Sequence, residues 1–321
     1  MKKPLLFLSF LIFASCIIIK SSAQDAKIDT VKVGIYITSI HDIDFKQKEY
    51  TVIFWLWLKY KNKDFNFSQN LEVPQAKTVE KSFSTLDSSG DQISMTMKLQ
   101  CVMKDSWRIG NFLFDRQTLR LSLENSQYDS RYLIFVADTV GHHFDPRFTL
   151  RGWRIDSCIL STGIRQYETG FGDESLARPH TEYSAFRVRL SIKRDAGGLF
   201  WKMFLGMYIA FLISYICFYI HTDGIDSRFG LSVGSLFAVI GNKYIIDSAL
   251  PESTSFTLVD TLHGITLFFI FAVIAATAYS LKLVKNNQAK KAQRFDMIAA
   301  QTFLAIYVIL NIYFIAKANV N

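Results

Sequence analysis

Residues 186–198 read Phe186-Arg187-Val188-Arg189-Leu190-Ser191-Ile192-Lys193-Arg194-Asp195-Ala196-Gly197-Gly198, and a continuous apolar run begins at Leu199. Phe186, Val188, Leu190 and Ile192 alternate with Arg187, Arg189, Ser191 and Lys193, and this period of two sends the two sets to opposite faces of a β-strand. The apolar run, residues 199–220, has about the ~20 residues that a helix needs to cross a bilayer core. A half-buried strand therefore passes into a membrane helix through Asp195-Ala196-Gly197-Gly198. With so short a joint, a displacement of the strand must reach the helix.

Upstream of this joint the same alternation recurs in short runs at residues 31–40, 50–60, 93–102, 119–123, 133–136 and 155–159, separated by turn residues. That spacing predicts an all-β sandwich over residues 25–197. Downstream, apolar stretches at 229–247, 258–281 and 297–316 follow the first, so residues 198–321 predict a four-helix membrane unit. The second stretch holds Asn242, Lys243, Asp247 and the glycines Gly230, Gly234 and Gly241. Polar residues in a membrane helix face a bundle interior or water. Residues 1–24 have a basic start, an apolar centre and small residues before Asp25, the pattern of an export signal; the other reading is an uncleaved anchor helix.

Composition agrees with a chain partly in lipid. Half of the 321 residues are hydrophobic, and 28 Phe and 14 Tyr against 5 Pro exclude disorder. The net charge of +8 divides unevenly: residues 1–24 carry three cations and no acid, 25–197 carry 24 cations and 22 acids, and 198–321 carry nine and six. No basic domain exists to hold a nucleic acid. The link 282–294 holds five cations and no acid, which predicts that it is cytoplasmic and that residues 25–197 lie in the periplasm or outside the cell membrane.

No nucleophile elbow, phosphate loop or zinc-protease motif occurs, so an enzyme is the weakest class, and no cofactor is implied. His142-His143 beside Asp138 and Asp145 is read as a solvated turn rather than a metal site. Cys101 and Cys158 either pair or stay free.

Longer stretches carry a family resemblance. Tyr50-Thr51-Val52-Ile53-Phe54-Trp55-Leu56-Trp57-Leu58-Lys59-Tyr60 and Asn111-Phe112-Leu113-Phe114-Asp115-Arg116-Gln117 resemble the second strand and the Phe-Pro-Phe-Asp-x-Gln loop of the pentameric ligand-gated ion channels, or Cys-loop receptors. Leu113 stands where that family usually has proline. The loop has no flanking cysteine pair, as in the family's prokaryotic branch, and the first membrane helix lacks the family's proline. Ser191-Ile192-Lys193-Arg194 and Leu250-Pro251 fit its pre-membrane strand and the end of its pore helix.

The resemblance implies an immunoglobulin-like sandwich on four membrane helices, assembled as a homopentamer in a lipid bilayer. It implies that a small-molecule agonist binds between subunits and that permeant cations cross a pore. Trp55, Tyr167 and Tyr183 match aromatics of the agonist site, and Ser126 falls where the family's central aromatic is expected. Each aromatic has sandwich packing as its alternative reading. Asp44, Asp115, Arg194, Leu250 and Pro251 match the coupling region between sandwich and membrane, the first three as an electrostatic triad. Asp226 matches the cytoplasmic mouth of the pore, and helical spacing brings Gly230, Gly234, Phe237, Gly241 and Tyr244 to its face. Arg228 would either neutralise a ring of Asp226 or point into protein, and Gly230 with Gly234 is also a helix-packing motif. A membrane-anchored periplasmic sensor or scaffold that keeps this fold without conducting is the other function.

Overall fold

The computed structural model describes residues 28–174, 179–221, 224–250 and 256–320; the stretch read as an export signal, and Pro251, lie outside them. Among the described residues there are nine strands, β1 (Asp29–Asp44), β2 (Glu49–Tyr60), β3 (Leu71–Glu72), β4 (Ala76–Ser89), β5 (Gln92–Lys104), β6 (Arg116–Asn125), β7 (Leu133–Ala137), β8 (Trp153–Tyr167) and β9 (Thr181–Arg194). They form a five-stranded sheet in the order β4-β5-β2-β1-β7 and a four-stranded sheet in the order β3-β6-β9-β8.

Alternation decides which face of each strand is buried. Phe54, Leu56 and Leu58 of β2, Met97, Leu99 and Cys101 of β5, and Phe186, Val188, Leu190 and Ile192 of β9 all enter one core between the sheets. Each buried side chain of this size contributes about 1.5–3 kcal/mol over exposure, so the inner faces hold the sandwich together. Cys101 and Cys158 are both free thiols, and burial pushes Cys101 up to about 12. Gly34 lies under the indole of Trp57, where an added Cβ would come within 2.3 Å of the ring. Only glycine lets these neighbouring strands keep that contact.

Strand β4 carries no alternation that a sequence reading detects, because every residue after Ala76 is exposed. Its backbone pairs along the length of β5, from Ala76 opposite Met103 to Ser89 opposite Gln92. The ladder, not a buried face, makes it a strand.

Four helices follow: α1 (Gly197–Ile216, continued by a 3₁₀ turn at Cys217–Tyr219), α2 (Ile225–Ser248), α3 (Leu258–Lys285) and α4 (Ala289–Val320). All four are long and apolar enough to cross a membrane, the shortest taking in 23 residues with its 3₁₀ turn, or roughly 34 Å at the helical rise. Helix α3 opens with a capping box in which the Thr257 side chain and Asp260 satisfy each other's backbone N–H groups. This fixes where the chain re-enters the bundle beside the sandwich.

Candidate functional site

The junction of sandwich and helices is built around Arg194, the last residue of β9. Its Nε donates to Asp115 Oδ1 at 2.6 Å and its Nη2 to Oδ2 at 3.2 Å. Asp115 is 3% exposed and also accepts from the Gln117 amide at 2.7 Å. The guanidinium lies 4.1 Å from the Trp153 ring centre, 4.7 Å from Phe45 and 4.8 Å from Phe112. A two-pronged ion pair inside three aromatic faces is strongly directional, since each face attracts the cation by about 0.5–2 kcal/mol.

Asp44 does not complete a triad. Its carboxylate accepts from the Gln47 backbone N–H at 2.8 Å and its carbonyl from the Trp107 indole at 3.1 Å. It thus closes the β1–β2 hairpin on its own backbone, and among the described residues no hydrogen bond or ion pair joins it to Arg194. Asp44, Arg194, Phe112 and Leu250 nevertheless line one cleft of about 590 Å³ where sandwich and helices meet.

The loop before β6 makes the direct contact with the membrane unit. Phe114 N–H donates to the Asn111 carbonyl at 2.9 Å, closing a turn in which Leu113 has φ of 82°. That third position, with positive φ, is where a type II turn favours glycine. Leu113 is fully buried in the apolar cluster that also holds Phe112, Phe204, Leu258 and Val259, and this burial offsets the cost of that φ. Beside it, Leu258 N–H at the start of α3 donates to the Gly110 carbonyl at 2.9 Å. Leu113→Pro, although it restores the residue usual in the resembled family, is expected to lower thermal stability by about 3 kcal/mol or more, because proline fixes φ near −65°. A thermal midpoint equal to that of the native protein contradicts this.

Two polar clusters bind the helices near this junction. Lys243 of α2 pairs with Asp247 at 2.5 Å and with Asp260 of α3 at 2.8 Å. Asn242 donates to the Met203 carbonyl of α1 at 3.2 Å and lies 3.0 Å from His263 of α3. The polar residues of the second apolar stretch therefore face partners on two neighbouring helices.

Helix α2 has two distinct sides. Arg228, Ser232, Ser235, Val239 and Ile246 are buried in the bundle. Asp226, Gly230, Gly234, Phe237, Gly241 and Tyr244 are all exposed. At about 100° per residue these six span an arc of roughly 80° within a wider exposed side that also holds Leu231, Val233, Ile240 and Ile245, and the buried set is centred nearly opposite them. Arg228 is 1% exposed; its Nη2 donates to Asp296 of α4 at 2.9 Å and its Nε to the Ile220 carbonyl at 3.1 Å. Of the two readings of Arg228, the inward one is correct.

At the other end of the sandwich, Tyr167 and Tyr183 come together on paired strands β8 and β9, with ring centres 5.9 Å apart. Phe171, in the connecting turn, joins both at 5.4 and 6.2 Å. Beneath them the buried Glu124 accepts from the Tyr167 hydroxyl at 2.8 Å and from Arg165 at 3.2 Å. Burial, then the Glu124 carboxylate, pushes the Tyr167 hydroxyl up to about 12, so it stays a donor. Trp55 lies on the other sheet, with Phe83 at 5.6 Å and the Lys98 ammonium 5.7 Å from its ring centre. Ser126 is exposed and held to the Asn70 carbonyl by its backbone N–H at 2.9 Å. Sequence reasoning missed Phe171, Glu124 and Arg165; aromatic spacing in the hairpin signals the first, but a buried carboxylate has no local signature. Among the described residues no group of three or more His, Cys, Asp or Glu side chains is placed to hold a metal ion.

No known protein-family profile matches the chain. It is 22% identical over 219 residues to a glutamate-gated chloride channel of Drosophila melanogaster, a match that takes in 64% of this chain but only 44% of that one. It is 24% identical over 308 residues to a proton-gated ion channel of Gloeobacter violaceus, covering 88% of this chain and 81% of that one. Two sheets packed face to face over four apolar helices match the architecture of the pentameric ligand-gated ion channels, and the sequence is distantly similar to two ion channels.

Proposed function

We propose that the chain assembles as a homopentameric ligand-gated channel that prefers cations, with residues 25–197 on the periplasmic or extracellular side of the cell membrane. The observation that carries this reading is the two-sidedness of α2. Asp226, Gly230, Gly234, Phe237, Gly241 and Tyr244 turn away from their own bundle, although Phe237 and Tyr244 are 68% and 76% exposed apolar rings. Five copies around an axis would give that face an aqueous lining. Asp226 would then form a ring of five carboxylates at one mouth, which concentrates cations. The inward Arg228 leaves that ring without a neutralising cation on the same face.

Phe237 supplies a hydrophobic constriction that dewets when closed. Agonist binds between subunits, with Tyr167 and Tyr183 from one and Trp55 from its neighbour, which suits their placement on different sheets. Binding shifts the sandwich, and the Arg194–Asp115 pair, the Leu113 turn and the Leu250-Pro251 link carry the shift to α2.

Recording from pentamers reconstituted in planar bilayers tests the proposal. Asp226→Lys is expected to abolish or reverse cation preference, and Phe237→Ala to give leaky currents without agonist. Absence of current from verified pentamers, across a broad screen of ligands and pH, would overturn the channel reading.

A further inference from the structure

The outward face of the four-stranded sheet is basic. Arg187 and Arg189, which alternate with the core residues of β9, meet Arg120 of β6 and Arg165 of β8 around a cleft of about 220 Å³. Its other lining residues are Gln75, Leu121, Ser122 and Val188, and none of the eight is acidic. Arg120 is paired with Asp105, and Arg165 with Glu124. Among the described residues Arg187 reaches only a carbonyl, Ile164 O at 3.1 Å. Arg189 is exposed and has no polar partner among the described residues. The cleft therefore holds two guanidinium charges with no carboxylate to offset them.

Two further features favour an anionic ligand. Arg189 stands directly opposite Arg120 in the β6–β9 ladder, and like charges in that position repel. Ser122, opposite Arg187, is 6% exposed, and its buried Oγ has no hydrogen-bond partner. Ser122 is among the residues that line the cleft, so a ligand oxygen that reached its hydroxyl would satisfy it. Guanidinium forks match the planar or tetrahedral array of oxygens in a carboxylate or phosphate.

We propose that this cleft is a binding site for a small dianionic oxyanion, either a phosphate or a short dicarboxylate, separate from the aromatic cluster at Tyr167 and Tyr183. Two uncompensated charges set the valence. The volume sets the size, because pockets for drug-sized ligands run from about 300 Å³ upward. Arg165 links the two regions, since it also holds Glu124, to which the Tyr167 hydroxyl donates. An anion that draws on Arg165 thereby loosens the anchor beneath the aromatic cluster.

Full-length protein in detergent is titrated with sodium phosphate and, separately, sodium succinate, with sodium chloride at matched ionic strength as the reference, and heat stability and calorimetric binding are followed. Saturable stabilisation beyond chloride is expected with at least one of them. The anion that saturates at lower concentration assigns the site to phosphoryl or to dicarboxylate chemistry. Arg189→Gln, at an exposed side chain with no polar partner among the described residues, is expected to weaken binding about tenfold. Ser122→Ala is expected to weaken it severalfold, and Arg116→Gln, on the same face but outside the cleft, to leave it unchanged. Responses that equal chloride for both anions, or binding undiminished in Arg189→Gln, overturn the proposal. Binding is read without current, so the outcome stands apart from that of the channel recordings.

Discussion

Arg194→Gln is expected to destabilise the folded chain by about 3–5 kcal/mol, because it leaves the Asp115 carboxylate buried without its cation. The side chains of the pair are only 10% and 2% exposed, so water cannot replace the lost partner. The three aromatic faces around the guanidinium add to the loss. Arg194→Lys should recover part of it, since an ammonium keeps the charge but cannot make the two-pronged contact. Asp115→Asn should cost a similar amount, and the double variant much less than the two single costs added together. Heat denaturation of the detergent-purified protein checks this, and a loss below about 0.5 kcal/mol in Arg194→Gln would show that the pair is solvated in practice. Because the pair ties β9 to the loop that touches α3, the same variants, if the chain gates as proposed, should lose agonist response even where they remain folded.

The second large effect is expected at the far end of the bundle, where Arg228 of α2 meets Asp296 of α4. Arg228→Leu strands Asp296 in an apolar setting and is expected to cost about 3–5 kcal/mol. The pair is incompletely satisfied, as Arg228 Nη1 and Asp296 Oδ1 are both buried without a hydrogen-bond partner among the described residues. Removing both charges should therefore be far milder than removing one. The double variant Arg228→Leu with Asp296→Leu is expected to lie within about 1 kcal/mol of the native protein, or above it. Thermal midpoints of the three variants decide the matter; a double variant worse than Arg228→Leu alone would mean that the pair, not mere neutrality, holds the helices. If Asp226 lines a pore, the double variant should leave ion preference unchanged, because Arg228 faces away from it.

Much of the architecture is legible because it is periodic. Phe186, Val188, Leu190 and Ile192 mark a strand, and the apolar stretches mark four helices, without knowledge of any contact. Strand β4 is the exception, since its residues after Ala76 are exposed and its order comes from pairing with β5. The junction was legible in kind but not in detail. Asp115 and Arg194 are 79 positions apart, and the resemblance put Asp44 with them in a triad; only the hairpin geometry, which commits Asp44 to the Gln47 N–H, takes it out.

The sandwich, the four helices and the two faces of β9 are readable from the chain alone, since each follows from local alternation between oil and water. Tertiary structure alone decided where the charges went. It turned Arg228 inward to a carboxylate 68 positions away and gathered Arg120, Arg165, Arg187 and Arg189 around an acid-free cleft. Burial patterns repeat along the chain and can be read from it. Ion pairs depend on the distances between elements remote in sequence, and these are fixed only when the sheets and helices have packed.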